Sequence, residues 1–198
     1  MRITADAKQA TQTRILEVAQ RLFRDKGFVD ATIRDIAAEV GMATGTLFNY
    51  FASKEQVAVA LAETAIRDAE QEFARKRREP ASLREDLFLQ AATQLRRLRP
   101  LRKFIQPVIE TALAAPVFAG DARDSQRLPA EQLQAVAEIL RIHRIDPERW
   151  SMTAPIYWAL YVGVLTFWGR DTSPKQEDSL AMLDQAVNMF VTWLESDG

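Results

Sequence analysis

The sequence predicts an all-α protein, and three observations support this fold class. Apolar residues recur at helical spacing along almost the whole chain. Glycines and prolines fall between these periodic segments, and no stretch of useful length alternates with the period of a β-strand. Apolar residues make up 47% of the 198 residues, which is enough for a sizeable core. We therefore expect about nine helices, bounded by capping residues or helix breakers.

The first two predicted helices have clear start and stop signals. The first has one apolar face and is expected to end at Lys26-Gly27. Thr32 is a suitable N-cap for the second helix, with Asp35 three residues later as an acidic variant of the capping box. Gly41 is expected to end that helix, because glycine readily adopts the left-handed conformation needed there.

A short third helix and six longer ones follow. Ser53 and Ser82 each begin a helix with a capping-box pattern, and Pro107 lies inside a helix as a kink. Residues 115–128 contain Gly, Pro and mixed charges and are predicted to form a loop. The predicted helices cover, in chain order, about 43–50, 53–78, 82–98, 101–114, 129–143, 148–170 and 175–195.

The second and third helices form a helix-turn-helix, in which the second helix of the motif can enter the major groove of DNA. Leu47 is expected to pack inward and to leave its polar neighbours facing out. Thr44 and Asn49 can hydrogen bond to base edges, and Asn suits a bidentate contact with adenine. Gly45 has no side chain, so the helix can approach the bases or the backbone closely.

Other residues of this motif suit contact with the DNA backbone. Thr46, Tyr50 and Lys54 carry a hydroxyl, a phenol and an ammonium group, which are donors that bind phosphates. Arg34, at the start of the second helix, can reach a phosphate or a guanine. Each of these residues is unremarkable on a surface by itself, and only their combination indicates DNA binding.

Charge is unevenly divided along the chain. Residues 1–54 carry 8 Lys/Arg and 6 Asp/Glu, a net charge of +2, and the remainder carries 18 and 21, a net charge of −3. A weakly positive N-terminal segment on a weakly negative body fits selective contact with DNA better than coating of DNA. A difference of this size also arises often by chance.

Residues 13–57 closely resemble the N-terminal domain of the TetR family of bacterial transcriptional repressors. They read TRILEVAQRLFRDKGFVDATIRDIAAEVGMATGTLFNYFASKEQV, in which LFRDKGF, T-x-R-D-I-A, GTLFNYF and SKE follow one another at the family's spacing. The resemblance implies a homodimer that binds a palindromic operator in double-stranded DNA and releases it when a small molecule binds. By the same resemblance, the phosphate-contacting positions are Thr46, Tyr50 and Lys54. The base-facing positions are Thr44, Gly45 and Asn49.

This resemblance implies two domains. We expect a DNA-binding domain over residues 1–54, here called the head. A helical effector-binding and dimerisation domain is expected over residues 55–198, here called the body. Phe48 stands in the DNA-binding segment where the family usually has tyrosine, and Met42-Ala43 replaces Val-Ser. Both changes remove a hydroxyl, so we expect slightly weaker anchoring to the DNA backbone but not its loss.

The eighth and ninth predicted helices are the most apolar, and we expect the homodimer to form through them. Two such helices from each of two chains would make a four-helix bundle. Packing within one chain is the alternative, and some residues surely serve it. The broad apolar faces consist of Tyr157, Leu160, Tyr161, Val164, Leu165 and Trp168 on the eighth helix and Leu180, Leu183, Val187, Phe190, Val191 and Leu194 on the ninth.

A small-molecule effector needs a mostly apolar cavity with a few polar groups. Aromatic residues in the body indicate an apolar or aromatic effector of unknown identity, although ordinary core packing explains each of them individually. Gln106, Glu110 and His143 are candidate polar anchors. The expected lining residues are Phe88, Phe104, Val108, Trp150, Tyr157 and Tyr161.

Several classes of function are not indicated. The chain has no cysteine and one histidine, so neither a disulfide nor a zinc site is expected. Nucleotide-binding and hydrolase motifs are missing, so we expect neither an enzyme nor a cofactor. The N-terminus lacks an apolar core, and the uncharged residues 152–169 are interpreted as a buried or interface helix. Both features favour a cytoplasmic protein without a membrane span.

The sequence therefore predicts a ligand-responsive, DNA-binding transcriptional regulator that acts as a repressor. Two alternatives are left open. The first is a DNA-binding protein that has no inducer or that activates transcription. The second is a helical module that binds a small molecule or a partner protein and carries a vestigial DNA-binding segment.

Overall fold

The computed structural model describes residues 5–113 and 127–196, and the regular elements in these ranges are all helical. Predicted helix positions agree with the structure except around Pro107. The predicted loop at 115–128 lies largely outside the described residues. The α-helices are α1 (Ala5–Asp25), α2 (Ile33–Val40), α3 (Thr44–Phe48), α4 (Lys54–Lys76), α5 (Leu83–Leu98), α6 (Ile105–Val108), α7 (Arg127–Ile142), α8 (Pro147–Arg170) and α9 (Glu177–Ser196).

The caps predicted for α2 are present. The Thr32 hydroxyl accepts a hydrogen bond from the N–H of Asp35 at 3.1 Å, and the Asp35 carboxylate accepts one from the N–H of Thr32 at 2.9 Å. Gly41 ends the helix with a φ of 80°, and its N–H and that of Met42 bond to the carbonyl of Ala37. These contacts fix where α2 begins and ends, and therefore the angle at which α3 leaves it.

The body is built around α4, α5, α8 and α9. α4 packs along α5, the opposite side of α5 contacts α9, and α9 packs on α8. α7 lies against both α5 and α8. α4 also contacts α1 of the head. One continuous apolar core runs from Ile15 in α1 to Leu194 in α9. The head is therefore packed against the body rather than tethered to it.

The segment predicted as one kinked helix at 101–114 is divided into three parts. A 3₁₀ turn covers Arg99–Phe104, α6 follows with four residues, and a π-helical turn covers Ile109–Leu113. Pro100 lies in the first turn of the 3₁₀ element, where its missing N–H costs nothing. Pro107 lies within the first turn of α6, where its missing N–H is likewise tolerated. Each proline therefore lies near the start of its own element rather than in the middle of one long helix.

The 3₁₀ turn Arg99–Phe104 joins the head to the body. The ring of Phe104 packs edge-on against Phe23 at 5.1 Å and stacks with Phe28 at 6.1 Å, both in the head. Two residues earlier, the Arg102 guanidinium donates to the carbonyl of Trp168 at 2.8 Å and to that of Asp171, at the C-terminus of α8. One short turn thus contacts both the head and the end of α8.

A buried ion pair fastens the far end of the body. The Asp86 carboxylate is 1% exposed and lies 2.8 Å from Nε of Arg77 and 2.7 Å from Nε2 of His143. His143 was named from the sequence as a candidate polar anchor for a ligand, and its side chain joins the end of α7 to α5. Within the described ranges, no helix is long and apolar enough to cross a membrane.

Candidate functional site

One buried side chain holds α3 against the rest of the head. Leu47 is fully buried, as predicted, and packs in the core of the head. Ala43 caps the helix without a side-chain hydrogen bond, so the missing hydroxyl expected from the sequence is a feature of the structure. The N–H groups of Tyr50 and Phe51 bond to the carbonyl of Leu47 and close the C-terminal end.

The opposite face of α3 is open. Gly45, Thr46, Phe48 and Asn49 are exposed, and the Phe48 side chain is 50% exposed although it is large and apolar. Within the part of the chain that the structure describes, the side chains of Thr46 and Asn49 make no hydrogen bond, and neither do those of Thr44, Tyr50 and Arg34. The predicted base-facing and phosphate-contacting residues on α3 therefore share one surface whose polar groups are free to bind an external partner.

Gly45 is not required by the fold of the head. A Cβ atom built at Gly45 would meet nothing within 4 Å, and its backbone is ordinary right-handed helix. Gly41 differs, because its positive φ is strained for any other residue. The lack of an internal reason for Gly45 is consistent with a close approach of DNA to this position.

Lys54 has a structural role that the sequence did not predict. Its ammonium group donates to the carbonyls of Phe28, Val29 and Ala31 at 2.7, 3.0 and 3.3 Å, and it lies 4.6 Å from the centre of the Phe28 ring. All three ammonium hydrogens are therefore directed at the turn between α1 and α2. A contact between Lys54 and a DNA phosphate would have to replace one of these bonds.

A second charged pair fixes α2 against α1. The Lys26 ammonium lies 2.8 Å from the Asp35 carboxylate, which also accepts the Thr32 hydroxyl. The hydrogen bonds from Lys26 and from Thr32 lower the pKa of Asp35 to about 2. A negative charge at this point also favours the N-terminal end of α2.

The structure separates the six predicted effector-binding residues. Phe104 is buried at the junction with the head described above, where its ring contacts Phe23 and Phe28. Phe88 is half-buried and Val108 is fully buried, and neither is among the described residues that line the cavity between α5, α8 and α9. Trp150, Tyr157 and Tyr161 do lie together, with successive ring-centre distances of 5.9 and 6.4 Å.

These three rings connect a surface groove to an interior cavity. Trp150 lines a groove of about 660 Å³ between α4, α7 and the start of α8. Tyr157 and Tyr161 line the interior cavity, which is apolar and has a volume of about 20 Å³, the space of about one water molecule. An effector of ordinary size would therefore have to displace side chains along this path.

A polar cluster lies beside the rings, and sequence reasoning missed it. Gln94 and Gln132 bond to each other through both amides, at 2.6 and 3.1 Å, although both are buried. The Glu70 carboxylate accepts hydrogen bonds from the amide of Gln90 at 3.0 Å and from that of Gln94 at 2.7 Å. Gln90 and Gln94 fall on the apolar face of α5. Two amides at positions expected to be apolar were the feature of the sequence that could have indicated a buried polar cluster.

Two polar atoms of this region are buried without a partner in the described structure, Oε1 of Gln90 and the hydroxyl oxygen of Tyr161. Burial is the main cause that raises the pKa of Tyr157 and of Tyr161. Burial also raises the pKa of Glu70, against the opposite effect of its two amide hydrogen bonds. Buried groups without partners are costly, so their presence here indicates a place where a ligand can complete them.

The predicted polar anchors lie elsewhere. Gln106 donates to Glu110 at 3.1 Å at the surface, and His143 bonds to Asp86. The expected dimer faces are also corrected, because ten of their twelve residues are buried within the chain itself and only Leu160 and Leu180 are not. The large apolar side chains that are exposed on α8 and α9 are Met152, Ile156, Phe167, Leu180, Met182, Met189 and Trp193.

Comparison with known proteins separates the head from the body. Residues 15–61 match the family model of the bacterial regulatory proteins of the tetR family. The transcriptional repressor AcnR of Corynebacterium efficiens is 38% identical over 68 residues, which are 34% of this chain and 36% of AcnR. The chain spans about a third of the length of the curated relatives it matches. Similarity in sequence is thus concentrated in the segment that contains α1–α3.

Solved structures resemble nearly the whole chain. A TetR transcriptional regulator from Rhodococcus sp. RHA1 has a TM-score of 0.74 and 20% identity, over 93% of this chain and 97% of its own. The TetR-family repressor FadR of Thermus thermophilus, solved with lauroyl-CoA, has a TM-score of 0.71 and 22% identity, over 91% and 93%. At these identities the likeness shows the fold. Residues 15–61 thus resemble the DNA-binding segment of the TetR family, and the described chain shares its fold with solved regulators of that family.

Proposed function

We propose that this protein is a ligand-responsive transcriptional repressor, rather than an enzyme, that binds a palindromic operator as a homodimer. The observation that carries the proposal is the open face of α3, with a fully buried Leu47 on one side and unpaired polar groups on the other. Thr44, Gly45 and Asn49 would face the bases of the major groove. Thr46 and Tyr50 would contact phosphates, together with Arg34 from α2. Lys54 would also contact a phosphate if that contact replaced one of its hydrogen bonds to a backbone carbonyl.

The division at residues 54 and 55 falls at the start of α4, which contacts both parts. We place DNA binding in the head, and effector binding and dimerisation in the body. FadR of Thermus thermophilus was solved with lauroyl-CoA, so one protein of this fold holds a small molecule. Such a regulator would act in the cytoplasm, where its operator is. Binding of an effector would favour an arrangement of the two subunits that no longer fits the operator.

Dimerisation through α8 and α9 is supported by the apolar side chains that a single chain leaves uncovered there. Met152 is 80% exposed and Met189 is 62% exposed, and Phe167 and Trp193 are more than a third exposed. Solvent-exposed apolar residues grouped on two neighbouring helices are typical of a surface that a second copy covers.

Selection from random double-stranded DNA tests DNA binding directly. We expect the purified protein to enrich a two-fold symmetric sequence at near-physiological salt, with half-sites separated by about one helical turn or a multiple of it. No enrichment by a folded, dimeric sample would contradict the proposal and favour a small-molecule-binding or partner-binding module with a vestigial head.

The dimer is tested by Phe167→Glu, which places a charge among the exposed apolar residues of α8. We expect the dissociation constant of the dimer to rise by at least about tenfold, measured by sedimentation, because an unpaired charge would be buried. Val29→Glu is the matched control, since Val29 is 85% exposed but lies in the head. Equal behaviour of the two variants would place the dimer contact elsewhere.

A further inference from the structure

We propose that the body binds a lipophilic cation, an aromatic or apolar molecule with one positively charged nitrogen, and that Glu70 is its counter-ion. The site consists of Glu70 and Gln90, the hydroxyl of Tyr161 and the rings of Trp150 and Tyr157. This inference rests on the proposed function for the role of the ligand as an effector. The ligand class itself follows from the chemistry of the site.

Glu70 differs from Glu72, another acidic residue of the same helix. Two residues further along α4, Glu72 lies within 2.6–2.8 Å of nitrogens of Lys76, Arg96 and Arg97. Glu70 has no cationic partner among the residues that the structure describes, although its burial raises its pKa and disfavours its charge. A half-buried carboxylate that no internal cation neutralises is stabilised most by a positive charge from outside.

The hydrogen bonds to Glu70 leave one of its oxygens free. Gln90 and Gln94 both donate to Oε1, at 3.0 and 2.7 Å, and within the described chain Oε2 accepts nothing. The two amides therefore hold the carboxylate in one orientation and leave Oε2 available. A positively charged N–H group bonded to that oxygen would form a charge-assisted hydrogen bond, the strongest kind the site can make.

The remaining unpaired atoms also favour a donor. Oε1 of Gln90 is a buried acceptor without a donor, and the Tyr161 hydroxyl can accept as well as donate. A protonated amine has two or three N–H groups, so it can satisfy Oε2 of Glu70 and a further acceptor at once. Glu70 lies close enough for its charge to add to the pKa increase of Tyr161, after burial and Tyr157, which shows that these groups share one region.

Aromatic rings provide the apolar part of the site. Trp150 and Tyr157 are 5.9 Å apart and nearly perpendicular, and Tyr157 stacks with Tyr161. Electron-rich faces of such rings attract cations, most strongly where water is excluded. The groove through which a ligand would reach Trp150 is lined by three acidic residues, including Glu70, and by two arginines, so it does not favour an anion.

The test uses matched probes that differ only in the charge of one group. Benzyl, naphthylmethyl and anthracenylmethyl amines are each titrated against the dimer, beside the alcohol and the carboxylate of the same ring. We expect at least one amine to bind at least about tenfold more tightly than its alcohol and its carboxylate. Glu70→Gln should abolish this preference, because it removes the charge and keeps the shape of the side chain.

Glu63→Gln is the matched control. Glu63 is another half-buried carboxylate of α4 whose pKa burial raises, but it lies two turns away and faces Arg127 and Glu131. The amine preference should survive this substitution, and Tyr161→Phe should weaken amine binding several-fold. Thermal unfolding shows that each variant is folded.

Two results overturn the inference: an amine preference that persists in Glu70→Gln, or amines that bind no better than their alcohols and carboxylates up to about 1 mM. Failure of the proposed function is separate, because DNA selection is carried out without any probe. If an amine binds through Glu70 but leaves the affinity for selected DNA unchanged, the ligand class stands and the effector role falls.

Discussion

The head and the body differ in where they keep polar groups that have no partner. In the head, these groups lie on the outer face of α3, around a core that contains only apolar side chains such as Leu47 and Phe23. In the body, such groups are also found inside, namely Oε1 of Gln90 and the hydroxyl of Tyr161, near the amides of Gln94 and Gln132. Unpaired groups on a surface cost little in water, whereas buried ones cost stability until something binds them.

This difference corresponds to two kinds of recognition. The head presents a rigid, preformed surface, since its helix ends are fixed by Thr32, Asp35, Gly41 and the bonds of Lys54. The body has an interior cavity of about 20 Å³, so an effector that bound there would displace side chains. Under the proposed function, a stable head joined to such an interior would allow a ligand to change the body while the head keeps its shape.

The largest expected effect comes from Phe104→Ala, which removes one of the apolar contacts between the two regions. We expect the free energy of unfolding to fall by about 3–5 kcal/mol, because a large buried ring is lost. Amide hydrogen exchange should show the head opening before the body, whereas they are protected together in the unaltered protein.

Phe48→Ala is its control, since Phe48 is half exposed and should change stability by no more than about 0.5 kcal/mol. Phe104 would regain its place in an effector site if Phe104→Ala left stability intact and weakened binding of the aromatic amines.

Asn49→Ala tests whether the open face of α3 reads sequence. On the selected operator we expect a loss of about 1–3 kcal/mol in binding, confined to one base position of each half-site. Thr46→Ala should instead weaken binding to all sequences alike, because a phosphate contact carries no sequence information. Binding to a panel of single-base operator variants distinguishes the two patterns. A uniform loss for Asn49→Ala would show that it contacts the backbone.

The two glycines of the helix-turn-helix are expected to respond in opposite ways. Gly41→Ala should destabilise the head by about 1–2 kcal/mol, since its φ of 80° is unfavourable for alanine. Gly45→Ala should raise the stability by about 0.5–1 kcal/mol, because the site is open and alanine favours a helix. The affinity of Gly45→Ala for DNA should nevertheless fall, because the added methyl group would stand where DNA approaches closely. Thermal unfolding and operator binding check both effects, and unchanged binding by Gly45→Ala would exclude close approach of DNA there.

The smallest effect is a difference in the sign of the pH dependence. The pKa of Asp35 is lowered to about 2, so its stabilisation is present above pH about 4 and is lost as the pH falls through about 2. The pKa of Glu70 is raised, so the stabilisation of its protonated form is present at low pH and is lost as the pH rises through its folded-state pKa.

Thermal unfolding of two variants between pH about 2 and about 7 measures these contributions. Asp35→Asn should lose stability relative to the parent protein as the pH rises, and Glu70→Gln should gain it. The same sign in both variants would mean that one of the two environments is described incorrectly.

Sequence reasoning was most successful where structure depends on neighbours in the chain. The Thr32 cap, the stop at Gly41 and the burial of Leu47 follow from residues within a few positions, and the structure confirms all three. The single helix predicted around Pro107 is divided in the structure, because Pro100 already begins a separate 3₁₀ turn before it and a π-helical turn follows α6.

Contacts between distant residues could not be predicted. Phe104 contacts Phe23 and Phe28, more than seventy positions away, and the apolar character of Phe104 fits a cavity wall and a domain junction equally well. Gln94 meets Gln132, which is 38 positions away. Their burial depends on how α5 and α7 pack, and an amide on one helix does not specify its partner on another.

The 3₁₀ turn Arg99–Phe104 has a consequence for protein engineering. An exchange of the head for that of a relative requires a cut in the chain, and the obvious place for it is the start of α4. A graft cut there would leave Phe104 facing foreign residues at the positions of Phe23 and Phe28. Arg102 of the same turn donates a hydrogen bond to the carbonyl of Trp168 at the end of α8. A displaced turn would therefore also disturb α8, the helix that contains Tyr157 and Tyr161. A functional transplant of this head has to carry the matching turn, or at least its phenylalanine, along with it.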